Sequence, residues 1–97
     1  LKASEEAGER IWPMPMHDDF EEIIKSQIAD VKNVGGREGG AITAAHFLAG
    51  FAEDTPWVHL DIAATSQSET ERPDQPKGAT GVAVRTLVGL ALSLAEG

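Results

Sequence analysis

The chain has 97 residues, with sixteen acidic against eight basic side chains for a net charge of −8, and no cysteine. That length allows one small domain, and the acidic balance excludes the basic patch that nucleic acid or an anionic membrane surface requires. Without cysteine there is no disulfide framework and no thiolate metal site. At 41% hydrophobic and 25% charged, the composition is that of a globular protein and not of a disordered one. No run approaches the roughly 18–20 apolar residues of a membrane span. The start, Leu1-Lys2-Ala3-Ser4-Glu5-Glu6, is acidic and unlike a signal peptide, and it lacks an initiator methionine.

In chain order, residues 3–9 suit a short helix ending at Gly8. Pro13 and Pro15 then impose extended backbone on Trp12 and Met14, an apolar connector. Asp18 or Asp19, with Glu21 or Glu22 three residues on, suggests a capping box. Phe20, Ile23, Ile24 and Ile28 then recur on one face, which predicts a helix over 19–28. Four glycines within 35–40 exclude regular structure there. The apolar recurrence from Ala41 through Ile42, Ala45, Phe47, Leu48 and Ala52 predicts a helix over 40–52, stopped by Pro56. Val58, Leu60 and Ile62 alternate with His59 and Asp61, a period of two that predicts a strand over 57–63. Residues 65–78 form a polar loop. Val84, Leu87, Val88, Ala91, Leu92 and Ala95 share one face of a last helix over 80–95, with Thr80 as its cap.

One strand makes no sheet. If 57–63 is a strand, its partners lie in another chain or in a part of the protein outside this sequence. The chain therefore reads as structurally incomplete, and a large exposed apolar surface or self-association follows.

Few residues carry chemistry by themselves. His17, His46 and His59 are 29 and 13 residues apart, unlike the close spacings of a zinc site. Asp18, Asp19, Glu21 and Glu22 cluster where the helix dipole favours acids anyway. Gly35-Gly36-Arg37-Glu38-Gly39-Gly40 precedes a helix but lacks the Gly-Lys-Ser/Thr ending of a phosphate loop, so close packing is its default reading. Ser66 and Ser68 follow His59 and Asp61, yet no nucleophile elbow surrounds either serine, and the isolated chain is expected to have no hydrolase activity of its own.

Several segments nevertheless fall in a familiar order. They are Trp12-Pro13-Met14-Pro15, Ala29 to Arg37, Gly39 to Leu48, Trp57-Val58-His59-Leu60-Asp61-Ile62-Ala63, and Lys77-Gly78-Ala79-Thr80-Gly81 with Val84-Arg85-Thr86-Leu87. Together the set resembles the C-terminal part of the leucyl (cytosol) aminopeptidases and covers nearly the whole chain. The resemblance implies an α/β fold, with residues 1–97 as a single, incomplete C-terminal piece of a mixed-sheet catalytic domain. It implies a cytoplasmic two-metal peptidase, usually a homohexamer with zinc, manganese or magnesium, that removes N-terminal residues such as Leu from peptides. The family's metal ligands are a Lys and several acids, including those of an Asn-Thr-Asp-Ala-Glu-Gly-Arg motif whose Arg is catalytic. That motif does not occur here, so the chain is expected to contribute no catalytic residue and no metal ligand and to bind no cofactor alone. By the same resemblance, Val34, Ala63 and Ser66 match positions lining the first specificity pocket. Ala64 stands where the family commonly has Gly. The competing reading, from another class, is a non-catalytic acidic module that serves assembly.

Overall fold

The structure is a computed structural model that describes residues 1–37 and 39–97. Its regular elements are helix α1 (Lys2–Ala7), a 3-10 helix (Asp18–Ile24), helix α2 (Gly40–Ala52), strands β1 (Gln67–Ser68) and β2 (Gly78–Ala79), and helix α3 (Val84–Glu96). The described residues gather into two compact units. One comprises Leu1–Trp12 and Ile62–Gly97, and the other Pro13–Asp61.

In the first unit α1 packs on α3. Gly8 ends α1 in the left-handed conformation that glycine adopts without penalty, at φ 72°. Glu9 follows at the N-terminal start of α3. There its carboxylate accepts from the backbone N–H of Ala83 at 3.1 Å and of Thr86 at 2.9 Å, and from the Thr86 hydroxyl at 2.5 Å. The free amides of a helix start need such an acceptor, and the N-cap residue Ala83 has no side chain that could supply one. Thr80, the expected cap, stops short: its hydroxyl oxygen accepts from Val82 N–H at 3.2 Å, and the helix proper begins at Val84 instead of residue 80.

The polar segment 65–78 is not a plain loop. Gln67 pairs with Ala79 and Ser68 with Gly78 in an antiparallel ladder. At its tip Arg72 and Gln75 exchange backbone hydrogen bonds of 2.8 and 3.1 Å around Pro73-Asp74, with proline at the turn position its fixed φ suits.

In the second unit the 3-10 helix packs on α2. It replaces the helix expected over 19–28 and ends at Ile24. Ser26 explains the early stop, since its hydroxyl accepts from the backbone N–H of Ile28 at 3.3 Å and Ala29 at 3.1 Å. That turn competes with helix continuation, and Ile28 is left 99% exposed. No side chain caps the start, so the acids there act through the helix dipole and not as a capping box. Helix α2 has the bounds its periodicity predicts.

Residues 57–63 are the main departure. The segment joins no ladder among the described residues, because no other stretch of the chain runs beside it as a strand. The alternation in its sequence is not answered by a partner strand among the described residues. The α/β character rests here on the helices and the small β1–β2 sheet.

Candidate functional site

Val34 sits on a return segment fixed at several points. After the 3-10 helix the chain reverses, with Lys25 bridging Val31 and the Lys32 N–H donating to the Ile24 carbonyl at 2.6 Å. Three residues later Gly35 lies in the crevice between the 3-10 helix and α2. A Cβ built there would meet Ile23 Cγ2 at 2.5 Å and Thr43 Cγ2 at 3.1 Å. Gly35 is not among the positive-φ residues, so space and not backbone conformation demands glycine. The default reading of the glycine run as a tightly packed turn holds at this residue, while Glu38 lies outside the described residues. Between these fixed points Val34 presents its isopropyl group outward, 73% exposed.

Ala63 and Ser66 belong to the first unit. Both lie on a turn wound over the Ile62 carbonyl, which accepts from the N–H of Thr65 at 3.0 Å and of Ser66 at 2.9 Å. Thr80 ties this turn down, its N–H donating to the Ser66 carbonyl at 3.0 Å and its hydroxyl to the Thr65 carbonyl at 2.7 Å. Ala63 is exposed and Ser66 partly so. Because Thr80 also holds Val82, and Glu9 holds Ala83 and Thr86, a continuous set of hydrogen bonds runs from Glu9 through the start of α3 to the turn.

Glu9 is the group whose titration this geometry alters. The Thr86 hydroxyl bond holds its carboxyl below the ordinary glutamate value, burial opposes the effect, and the Thr86 and Ala83 amides and Arg85 add to the lowering. Its side chain is 9% exposed, and Arg85 Nε approaches to 3.8 Å from the solvent side. No periodicity or spacing could have singled out Glu9, since its partners are more than seventy residues away.

In the second unit His46 is buried against Phe20, ring centroids 6.0 Å apart, with Nδ1 3.8 Å from Glu21 Oε1. Its Nε2 has no hydrogen-bond partner among the described residues. His59 stacks on Trp57 at 6.0 Å. Among the described residues no group of three or more His, Cys, Asp or Glu could hold a metal ion, and no helix is long and apolar enough to cross a membrane.

Residues 1–88 match the catalytic domain of the cytosol aminopeptidase family. The chain belongs to that family. It is similar to probable cytosol aminopeptidases of Solibacter usitatus, 56% identical over 95% of this chain and 19% of the relative, and of Alkaliphilus metalliredigens, 55% identical over 95% and 18%. Among solved structures, the bottromycin maturation enzyme BotP superposes with a TM-score of 0.90 at 41% identity, covering 99% of this chain and 22% of BotP. A further structure of BotP is a complex with Mn. A mutant of tomato leucine aminopeptidase gives a TM-score of 0.83 at 42% identity, over 95% of this chain and 18% of its own. The chain thus spans about a fifth of the length of the relatives it matches, within the catalytic domain of a peptidase family.

Proposed function

We propose that this chain is the C-terminal part of the catalytic domain of a two-metal leucyl aminopeptidase that removes N-terminal residues from peptides. The match of residues 1–88 to the family's catalytic domain carries the reading. Val34, Ala63 and Ser66 line the first specificity pocket, where Val34 and Ala63 offer apolar surface to a side chain such as that of leucine. Two features support these roles. Each residue sits on backbone pinned by hydrogen bonds or close packing, and Val34 and Ala63 are exposed.

A pair of divalent metals, zinc, manganese or magnesium, would supply Lewis-acid activation of the peptide and of water in the intact enzyme. The described residues do not form a set that fits them. Their ligands are assigned to parts of the enzyme outside this chain, and the chain alone is inactive. What its residues do is hold the N-terminal side chain of the peptide while the reaction proceeds elsewhere in the site. A homohexamer in the cytoplasm completes the reading. The Mn in a related structure supports the metal class.

The test is hydrolysis of leucine amide by the full-length protein that carries this chain, with Mn2+ and after chelation. Metal-dependent release of leucine is expected, and none from residues 1–97 alone. A full-length protein inert with every divalent metal contradicts the reading.

A further inference from the structure

The turn that carries Ala63 and Ser66 is held from outside itself by Thr80. Within the turn the Ile62 carbonyl accepts from the N–H of Thr65 at 3.0 Å and of Ser66 at 2.9 Å, so Ala63 lies inside a single closed loop of backbone. That closure fixes the N–H side of the peptide joining Thr65 to Ser66. The carbonyl side of the same peptide accepts from the Thr80 hydroxyl at 2.7 Å, fifteen residues beyond Thr65. A peptide group is planar, so a bond at each edge fixes its orientation. The direction in which the Ser66 side chain leaves the backbone is fixed with it. The next peptide is held as well, since the Ser66 carbonyl accepts from the Thr80 N–H at 3.0 Å. Thr80 is itself seated on both sides. Before it the ladder pairs Gln67 with Ala79 and Ser68 with Gly78, and after it the Val82 N–H donates to the Thr80 hydroxyl oxygen at 3.2 Å. A hydroxyl has one proton to give. With the Val82 N–H on a lone pair, that proton stays directed at the Thr65 carbonyl.

From this geometry we infer that Thr80 is a specificity-positioning residue: its hydroxyl orients the peptide between Thr65 and Ser66 and thereby sets where Ala63 and Ser66 stand. The inference rests on the proposed role of Ala63 and Ser66 in the first pocket. Those two touch the substrate side chain, whereas Thr80 acts only through them. The Thr65 hydroxyl does not share this role, because it turns back on the Ile62 carbonyl of its own turn at 3.4 Å. Folding does not depend on the Thr80 hydroxyl either. Its bond to Thr65 lies at the surface, where water replaces a lost donor at little cost in stability but without its fixed direction.

The consequence is selective. A pocket wall that has lost its orientation alters binding of a large apolar side chain and hardly that of a small one, while general damage lowers both alike. The experiment compares kcat/KM for leucine and alanine p-nitroanilides in the full-length enzyme for wild type, Thr80→Val, Thr80→Ser and Glu9→Ala. Thr80→Val keeps the branched shape and removes the donor. It is expected to lower the leucine-to-alanine ratio by about tenfold, the scale of a mismatched methylene in an apolar pocket. The loss should fall mainly on KM for the leucine substrate. Thr80→Ser keeps the hydroxyl and should stay within about threefold of wild type. Glu9→Ala weakens the start of α3 but leaves the Thr80 bonds and the ladder in place. It should lower the melting temperature and leave the ratio within about threefold of wild type. A ratio unchanged in Thr80→Val overturns the inference. So does a ratio in Thr80→Ser, or in Glu9→Ala, that falls as far as in Thr80→Val. Should Thr80→Val not accumulate, Thr80→Ala carries the same readings. Insolubility of both contradicts the inference, since the hydroxyl would then be a requirement for folding. A wild-type enzyme inactive on both substrates instead removes the aminopeptidase reading on which this inference rests.

Discussion

The two compact units hold their candidate pocket residues by opposite means. Around α3 the turn bearing Ala63 and Ser66 is secured by polar bonds, ending in a Glu9 carboxylate brought from the far end of the sequence. Around α2 the segment bearing Val34 is secured by an absence, the missing side chain of Gly35. The contrast sharpens at a second glycine. Gly89 of α3 also faces another element, yet a Cβ there would lie 3.9 Å from Ala3 Cβ, an ordinary contact. The same substitution should therefore damage one unit and strengthen the other. Charge should matter to the first unit, and volume to the second.

The largest effect is expected from volume. Gly35→Ala overpacks the crevice between the 3-10 helix and α2 and should destabilise by about 1–3 kcal/mol, read as a lower midpoint of chemical denaturation. If the midpoint is unchanged, the crevice is not as tight as described. Next comes Glu9→Ala, which leaves the amides of Ala83 and Thr86 without their acceptor. A lost helix cap of this kind costs about 0.5–2 kcal/mol. Arg85 adds little, being two-thirds exposed to solvent and screened.

The pH dependence separates the units further. The folded-state pKa of Glu9 is depressed, so its contribution is fully present above the ordinary glutamate range, below about pH 5 it begins to fade, and it is lost as the pH falls through the lower folded value. Glu9→Gln should flatten that acid limb of the stability curve, whereas Gly35→Ala should shift the whole curve without changing its shape. Parallel curves for wild type and Glu9→Gln would falsify the role given to the cap.

The smaller effects run in the stabilising direction. His46 is buried with Nε2 unpartnered among the described residues, and an unsatisfied buried polar atom is costly. His46→Leu should be neutral or raise stability by up to about 1 kcal/mol, offset in part by the loss of the distant Glu21 contact. A clear loss would mean that His46 has a partner in the assembled enzyme. Gly89→Ala should add about 0.5–1 kcal/mol by restricting the unfolded chain and favouring helix, seen as a small rise in melting temperature.

The same contrast explains what could be read from the residues alone. Helix α2 declares itself through the repeat of Ile42, Ala45 and Leu48, and its bounds come out as expected. Gly8 announces the end of α1 in the same local way. The 3-10 helix is misjudged because the apolar spacing of Phe20 and Ile24 continues to Ile28, while the single Ser26 hydroxyl decides the stop. The alternation of 57–63 describes a face that needs a neighbouring strand, and the described residues provide none. Glu9 leaves no local signal, since a cap more than seventy residues distant obeys no spacing rule. The proposed pocket residues are legible only through likeness to the family. Nothing in the patterning around Val34 or Ser66 distinguishes them from ordinary surface positions, and the crevice around Gly35 becomes visible only once Ile23 and Thr43 are placed beside it.

Hydrogen exchange of the full-length enzyme, followed by mass spectrometry with and without saturating leucine, tests the pocket assignment most directly. The account predicts slowed exchange at amides 33–36 and 63–66, with little change at the exposed far end of α3. Protection confined to segments outside 33–36 and 63–66, with leucine demonstrably bound, would contradict it.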